Sequence, residues 1–481
     1  MTLRSRVTAE AGCPARLTQY RMSMSELMTG PTGSTGATSS TSTALLTDRY
    51  ELTMVQAALA DGTASRQCVF EVFTRRLPPG RRYGVVAGTG RVLEALPQFR
   101  FTDAELDYLR EGEVVDGQTL DYLANYRFTG DIYGYAEGEV FFPGSPLLVV
   151  ESSFAEGVLL ETLVLSILNY DSAVASAASR MTSAAGSRPC LEMGGRRAHE
   201  QAAPAAARAA VVAGFAGTSS LEAGRRWGLE TIGTAAHSFT LLHDDEPSAF
   251  ASQVASLGTQ TTLLVDTYDI AEGVRRAIAA AGTELDSVRL DSGDLAQVAR
   301  EVREQLDSLG AAGTKIVVSS DLDEHAIASL AVAPVDSYGV GTSVVTGSGA
   351  PTCGMVYKLV LREGADGRME PVQKASAAKG SVGGRKSAAR RLEPSGRASE
   401  ELVVAGAAAD WQPEEEDLRA LLVPLVRDGM VQPGTTGAEG VRRAAARHAA
   451  SRAELSPYSR RLSAGDPAIP TTHVHRHPLD G

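Results

Sequence analysis

From about residue 160 to residue 345, short apolar runs alternate with longer stretches in which apolar residues recur every three or four positions. The first pattern predicts strands, and the second predicts helices packed on them. The strand segments are "CLEM" from 190, "GFAGTSS" from 214, "ETIGT" from 230, "TTLLVD" from 261, "SVRLDS" from 287, "TKIVVSSD" from 314 and "VDSYGVGT" from 335. The clearest helix is "DLAQVAREVREQLDSLG", where Leu295, Val298, Val302, Leu306 and Leu309 share a face. A strand and a helix every 20 to 30 residues is the rhythm of βα units, so an α/β barrel or a doubly wound sheet is expected. Polar residues collect at the C-terminal end of nearly every strand, which favours the barrel.

The flanking chain reads differently. "LLTDRYELTMVQAALADG" predicts a helix with a capping box from Asp48 and Glu51 and an inner face of Leu52, Val55, Ala58 and Leu59. Residues 66 to 150 read mainly as strands and turns, an α+β sheet module. "GVLLETLVLSILNY", interrupted by Glu161, reads as a buried helix and not a membrane span. "ADWQPEEEDLRALLVPLVRDG" is helix-like. The division expected is a disordered Gly/Ser/Thr-rich extension over 1–43, a sheet domain over 44–158, a barrel over 159–362, and a C-terminal segment over 363–481. That last segment carries a basic loop at 374–391 and a flexible tail whose "THVHRHP" histidines could bind a metal only adventitiously.

Composition narrows the chemistry. A formal charge of -12 argues against non-specific nucleic-acid binding, so an anionic ligand needs a local basic cluster. Cys13, Cys68, Cys190 and Cys353 lie far apart with no CxxC pair, which suits a reducing cytoplasm and no zinc ribbon. The N-terminus has no apolar core of a signal peptide. No GxxxxGK[ST] phosphate loop is present, and "KIVVSSDLDE" lacks the acidic pair and phosphate loop of type I phosphoribosyltransferases.

The strand ends supply Arg196 and Arg197, Ser219 and Ser220, His237, Asp266, Asp291 and Asp294, Asp321, then Gly339, Gly341 and Thr342. Paired arginines hold phosphate or carboxylate, aspartates accept from sugar hydroxyls or hold a metal, and a glycine-rich turn brings N–H groups to phosphate. Each is common by itself: a DSGD is often only a helix cap, and GVGTS only a turn. Gathered on one rim, they suit a phosphorylated sugar with an acidic or aromatic partner. His237 stands among Gly233, Thr234, Ala235, Ala236 and Ser238, small residues that leave its imidazole uncrowded.

Seven segments in order, "LLTDRYELTM", "FTRRLPPGRRYGVVAG", "LEMGGRRAHEQAA", "IGTAAHSF", "LVDTYD", "VRLDSGDL" and "GVGTSVVT…CGMVYKLV", together resemble nicotinate phosphoribosyltransferase. The resemblance runs from about residue 44 to past 400. It implies a type II phosphoribosyltransferase fold: an irregular α/β barrel beside an open-sheet domain drawn from both ends of the chain, with sites at a homodimer interface. It implies transfer from phosphoribosyl diphosphate to nicotinate in NAD salvage, with magnesium, and ATP hydrolysis driving the step. His237 matches the histidine that ATP phosphorylates, and an imidazole is a competent nucleophile at neutral pH. Asp266 and Asp291 would face the ribose and the magnesium-bound diphosphate. Arg196 and Arg289 would hold phosphate or the pyridine acid, with Ser219 and Ser238 also at the substrate. Gly341 and Thr342 would meet the 5′-phosphate, and Tyr50 would stack on the pyridine in the neighbouring subunit. Lys379, Arg385 and Lys386 would meet diphosphate or ATP. The magnesium ligands are left open. Two alternatives are a nicotinamide-specific relative and a barrel that binds mononucleotide without turnover.

Overall fold

The computed structural model describes residues 42–374 and 382–475. Lys379 and the extension to residue 41 lie outside them. Ser42 and Thr43, assigned by composition to the extension, are already docked. Ser42 Oγ donates to the Arg100 carbonyl (2.8 Å), Thr43 Oγ1 donates to the Ala95 carbonyl (3.0 Å), and Ala44 is buried.

The first helix, Arg49–Asp61, buries Leu52, Val55 and Ala58, but its expected capping box does not form. Asp48 makes no side-chain cap. Glu51 turns inward, where its carboxylate accepts from Thr47 Oγ1 and from the backbone N–H and Oγ1 of Thr162. Burial pushes the Glu51 carboxyl up to about 7, against those hydrogen bonds.

A seven-stranded antiparallel sheet runs in the order Met369–Pro371, Met355–Glu363, Gln67–Thr74, Leu148–Ser153, Asp131–Tyr135, Leu422–Arg427, Met430–Val431. Strands from both ends of the chain therefore share one ladder. Two sequence expectations fail around it. Residues 66 to 150 also hold the helices Thr89–Ala95, Asp103–Glu111 and Gly117–Ala124, the second opened by a Thr102/Glu105 capping box. Those helices are short; side-chain caps from Thr102 and Asp116 open the second and third, and the first has none. The stretch read as helix-like near 420 instead forms Leu418–Ala420 and Leu422–Arg427. Pro424 would remove a helical hydrogen bond; here it sits beside a register shift in the pairing with Asp131–Tyr135.

Helix Glu161–Ala185 ties the two hydrophobic cores together. Leu163, Val164 and Leu168 belong to the core under the antiparallel sheet, and Val174, Ala177, Ala178 and Met181 to the one under the parallel sheet. The helical stretch Phe154–Ala185 is long and apolar enough to cross a membrane. Its most apolar window is 67% buried inside the protein, as a core helix would be.

The parallel sheet has six strands in the order Gly217–Thr218, Cys190–Glu192, Ser337–Val340, Lys315–Ser320, Ser287–Leu290, Thr262–Leu264. Its two end strands are not paired with each other among the described residues, so the hydrogen-bonded sheet is open where an irregular α/β barrel was expected. The seventh expected strand, at 230, contributes only a single bridge from Thr231 to Thr218. Three small residues, Gly233 to Ala235, give that segment little side chain to pack.

A four-stranded sheet, Leu418–Ala420, Lys386–Leu392, Ala398–Ala405, Thr471–His475, and a two-stranded one, Gly84–Val85 with Val140–Phe141, complete the sheets of the described residues. The histidine tail is thus an edge strand through His475 and not free chain. Helix Gly437–Glu454 precedes it and buries His448 against the Gly138 carbonyl (3.3 Å to Nδ1). Burial, aided by Arg452, pushes the His448 imidazole down to about 4. Unfolded chain takes up this proton below about pH 6.5, while folded chain refuses it until about pH 4. Stability is therefore expected to fall as pH drops through that window, by up to roughly 3 kcal/mol. Urea midpoints of the natural chain and His448→Gln at pH 7.5 and pH 5 test this. The gap between them should close at acid pH; a constant gap would refute it.

Candidate active site

The C-terminal ends of the six parallel strands form one rim, and a cleft of about 260 Å³ opens on it. Met193, Arg196, Arg197, Arg289, Asp291, Ser319, Ser320, Asp321, Gly339, Gly341 and Thr342 line it. Close strand packing explains the glycines. A Cβ on Gly339 would lie 2.8 Å from Met193 Sδ, and one on Gly194 would lie 2.8 Å from the Gly341 carbonyl. Gly341 then leads into the short helix Thr342–Val345.

Asp266 and Asp291 end neighbouring strands and are locked together. Asp266 Oδ2 accepts from the Asp291 backbone N–H (2.8 Å) and from Ser292 Oγ (2.8 Å). Asp291 Oδ1 accepts from Ser319 Oγ (2.6 Å). The cap of helix Leu295–Ser308 is made by Asp294, which leaves Asp291 and Ser292 free of that duty. Asp266 Oδ1 is buried and has no hydrogen-bond partner. It lies 3.9 Å from His237 Nε2.

His237 starts the short helix His237–Leu242, and its side chain is 40% exposed. Its Nδ1 lies 3.1 Å from Thr267 Oγ1, so the ring is held on one edge, with the Asp266 carboxylate near the other nitrogen. Arg289, on the strand that Asp291 follows, donates Nη1 to Thr234 Oγ1 and to the Ala235 carbonyl, just before His237. Burial holds its pKa down; Asp291 and Asp266 pull it back up, and Arg196 opposes them. Arg196 and Arg197, in the turn Gly195–Arg197, are exposed on the cleft.

Ser219 is exposed at the end of Gly217–Thr218, its N–H bonded to the Glu192 carbonyl (2.8 Å). Ser220 instead caps helix Leu221–Trp227. Ser238 is exposed beside His237. Arg196, Arg289, Asp266, Asp291, Gly341 and Thr342 thus gather as the sequence suggested, with His237 alongside. Tyr50 does not join them; it is exposed at the start of its helix, near Glu161 and Thr162. Nor do Arg385 and Lys386. Arg385 pairs with Glu151 (2.7 Å), and Lys386 is 2% exposed, paired with Glu71 (2.8 Å) in the four-stranded sheet's first long strand. Their charges are committed to holding two sheets together, which a basic count along the chain cannot distinguish from an anion site.

Sequence reasoning missed Thr267 and Ser319, the hydroxyls that hold His237 and Asp291. Nothing local marks a serine or threonine as a partner of a side chain on the next strand. The alternation that puts Ser319 beside Asp291 was the only available signal.

The N-terminal domain model of the nicotinate phosphoribosyltransferases matches residues 45–169, and the family's main model matches residues 189–390. Nicotinate phosphoribosyltransferase pncB1 of Mycobacterium tuberculosis is 57% identical over 440 residues, 89% of this chain and 95% of that protein. The Bacillus subtilis nicotinate phosphoribosyltransferase is 39% identical, over 75% of each. The crystal structure of human nicotinic acid phosphoribosyltransferase superposes with a TM-score of 0.76 at 26% identity, covering 90% of this chain and 98% of that one. On the two family models and relatives this similar over most of their length, the chain belongs to the nicotinate phosphoribosyltransferase family.

Proposed function

We propose that this chain transfers the phosphoribosyl group of phosphoribosyl diphosphate to nicotinate, forming nicotinate mononucleotide and diphosphate in NAD salvage. The observation that carries the reading is a cleft with three arginines beside two aspartates already fixed by N–H and O–H donors. As the bond from the anomeric carbon to diphosphate breaks, the diphosphate leaves with the electron pair and positive charge develops on the ribose. Asp291 stabilises that charge, and the nicotinate ring nitrogen forms the new bond. Arg196, Arg197 and Arg289 hold the anions, and Gly341 and Thr342 offer N–H groups to the 5′-phosphate.

Magnesium fits these donors. Asp266 Oδ1 is buried without a partner, and Asp291 adds a second hard oxygen; no cluster of three ligating side chains exists among the described residues. One or two carboxylates plus substrate phosphate is how magnesium is usually held. Bound with substrate, it would supply positive charge against the leaving diphosphate.

Four further elements belong to this proposal. ATP gives its γ-phosphoryl group to a ring nitrogen of His237 and leaves as ADP, and hydrolysis of that phosphohistidine drives transfer. The open parallel sheet is part of an irregular barrel, set between a sheet domain and a returning C-terminal segment. Two copies form composite sites in which Tyr50 of one approaches the rim of the other; Leu221, Leu241, Leu242 and Tyr268, large apolar groups near that rim, are exposed and available for cover. A cytoplasmic setting suits Cys68, Cys190 and Cys353, which are free and buried.

Steady-state diphosphate release with nicotinate or nicotinamide, with and without ATP, tests the reading. Nicotinate is expected to be strongly preferred and ATP to raise its rate. Equal use of nicotinamide would point to the amide-specific alternative, and nucleotide binding without release to a non-catalytic barrel.

The acid preference has a local rationale. No acidic residue lies between Glu200 and Glu222, so none sits next to Ser219 in its own segment. Ser219→Asp would set a carboxylate against the substrate's own, a repulsion of about 1 to 4 kcal/mol at contact distance. Its kcat/KM for nicotinate should fall by roughly tenfold or more, with nicotinamide affected less. An equal loss for both substrates would show that Ser219 does not face the carboxylate.

A further inference from the structure

We propose that Ser319 is a positioning residue whose hydroxyl keeps Asp291 turned toward the reacting sugar and away from Arg289. The proposal rests on the role given above to Asp291. Ser319 is only 7% exposed and lies on Lys315–Ser320, whose Val317 and Val318 pair with Arg289 and Leu290. That register brings Ser319 beside Asp291, and its Oγ donates to Asp291 Oδ1 at 2.6 Å.

The hydroxyl has little freedom. On its other side, a Cβ on Gly339 would lie 3.1 Å from the Ser319 Cβ, so the side chain stands wedged between two strands. Asp291 also has a competitor for its carboxylate. Arg289 lies two residues before it, on the strand that Asp291 follows; the two charges act on each other, and the Arg289 Nε is buried without a hydrogen-bond partner. With the Ser319 donor gone, this guanidinium, to which Asp291 is already electrostatically coupled, is free to draw the carboxylate. An Asp291–Arg289 pair would withdraw negative charge from the ribose and positive charge from the phosphate side at once. Since Asp291 N–H also donates to Asp266 Oδ2, the serine fixes the open end of a chain joining both acids. Its benefit is preorganisation: the acid need not reorient as charge develops.

Ser319→Ala is expected to lower kcat by about 30-fold, the scale of one hydrogen bond to a charged group. KM for nicotinate and for phosphoribosyl diphosphate should stay within about threefold, and the melting temperature nearly unchanged. Ser319→Cys, close in shape with a weaker donor, should fall between. Asp291→Asn should lose far more activity, and adding Ser319→Ala to it should cost nothing further, because the serine acts through that carboxylate. Multiplying losses in the double variant, or a Ser319→Ala defect confined to KM, would overturn the positioning role while leaving that of Asp291 intact. Full activity of Asp291→Asn would instead remove the reading on which it rests. A crystal structure of Ser319→Ala with Asp291 unmoved would also overturn the proposal.

Discussion

His237→Ala is expected to lose acid-labile labelling by γ-phosphate-labelled ATP entirely, and with it all stimulation of transfer by ATP. The ATP-independent rate should survive, since the arginine cleft and the two aspartates do not need the imidazole to fold. The setting favours phosphoryl transfer to this ring. Thr267 holds Nδ1, the Asp266 carboxylate lies 3.9 Å from Nε2, and the surrounding residues are too small to block an incoming phosphate. Phosphate transfer to a ring nitrogen leaves a positively charged imidazolium while its other proton is kept, and a buried carboxylate nearby favours that charge. His243 and His325 lack this setting: His243 has Nδ1 against the Phe239 carbonyl (2.9 Å), and His325 sits exposed near the start of its helix. Mass spectrometry of the labelled protein decides the matter. Phosphate on His243 or His325, or unchanged ATP stimulation in His237→Ala, would reject the assignment.

The largest effect on stability is expected from Arg390→Met. Arg390 is fully buried and donates Nη1 to Glu139 (2.6 Å), Glu454 (3.0 Å) and Ser451 Oγ (3.0 Å), and Nη2 to Glu401 (2.7 Å) and the Val140 carbonyl (2.6 Å). Burial pushes the Glu139 carboxyl up, but Arg390, Arg419 and Arg447 outweigh it and hold it near 2. Burial likewise works against the charge on Arg390, and the surrounding glutamates outweigh it. Removing the guanidinium strands buried carboxylates, at a cost of about 3 to 5 kcal/mol. Arg391→Met is the control: that side chain is a third exposed, pairs with Glu400 and Asp417 at the surface, and should cost less than about 1 kcal/mol. Urea unfolding of both variants measures the difference. Equal costs would mean that the cluster relaxes or admits water.

The same arginines show where linear reading stops. "GGRKSAARR" reads as a basic loop, yet Lys386 and Arg390 point inward to glutamates contributed by residues 71, 139, 401 and 454. Those partners are brought near only when the sheets and the end of helix Gly437–Glu454 pack together. Chains of alternating small and charged residues look equally exposed until a sheet gives them a face. The helix-like stretch near 420 failed for a related reason: a run of leucines suits either period, and its place beside Asp131–Tyr135 decided for strand. The N-terminal capping box failed because Glu51 turned inward to two hydroxyls, Thr47 just ahead of its own helix and Thr162 on another helix.

What the sequence determined by itself was the order of the parallel strands' residues, the central buried helix and most of the polar rim. Period, strand ends and small residues around His237 are local properties, and they survive any packing. The pairing of Asp266 with Asp291, the grip of Thr267 on His237 and of Ser319 on Asp291, and the diversion of Lys386 and Arg385 into the sheets were decided by tertiary structure. Each depends on the register between strands far apart in the chain, and a register is set by which apolar faces bury together, not by the polar residues it aligns.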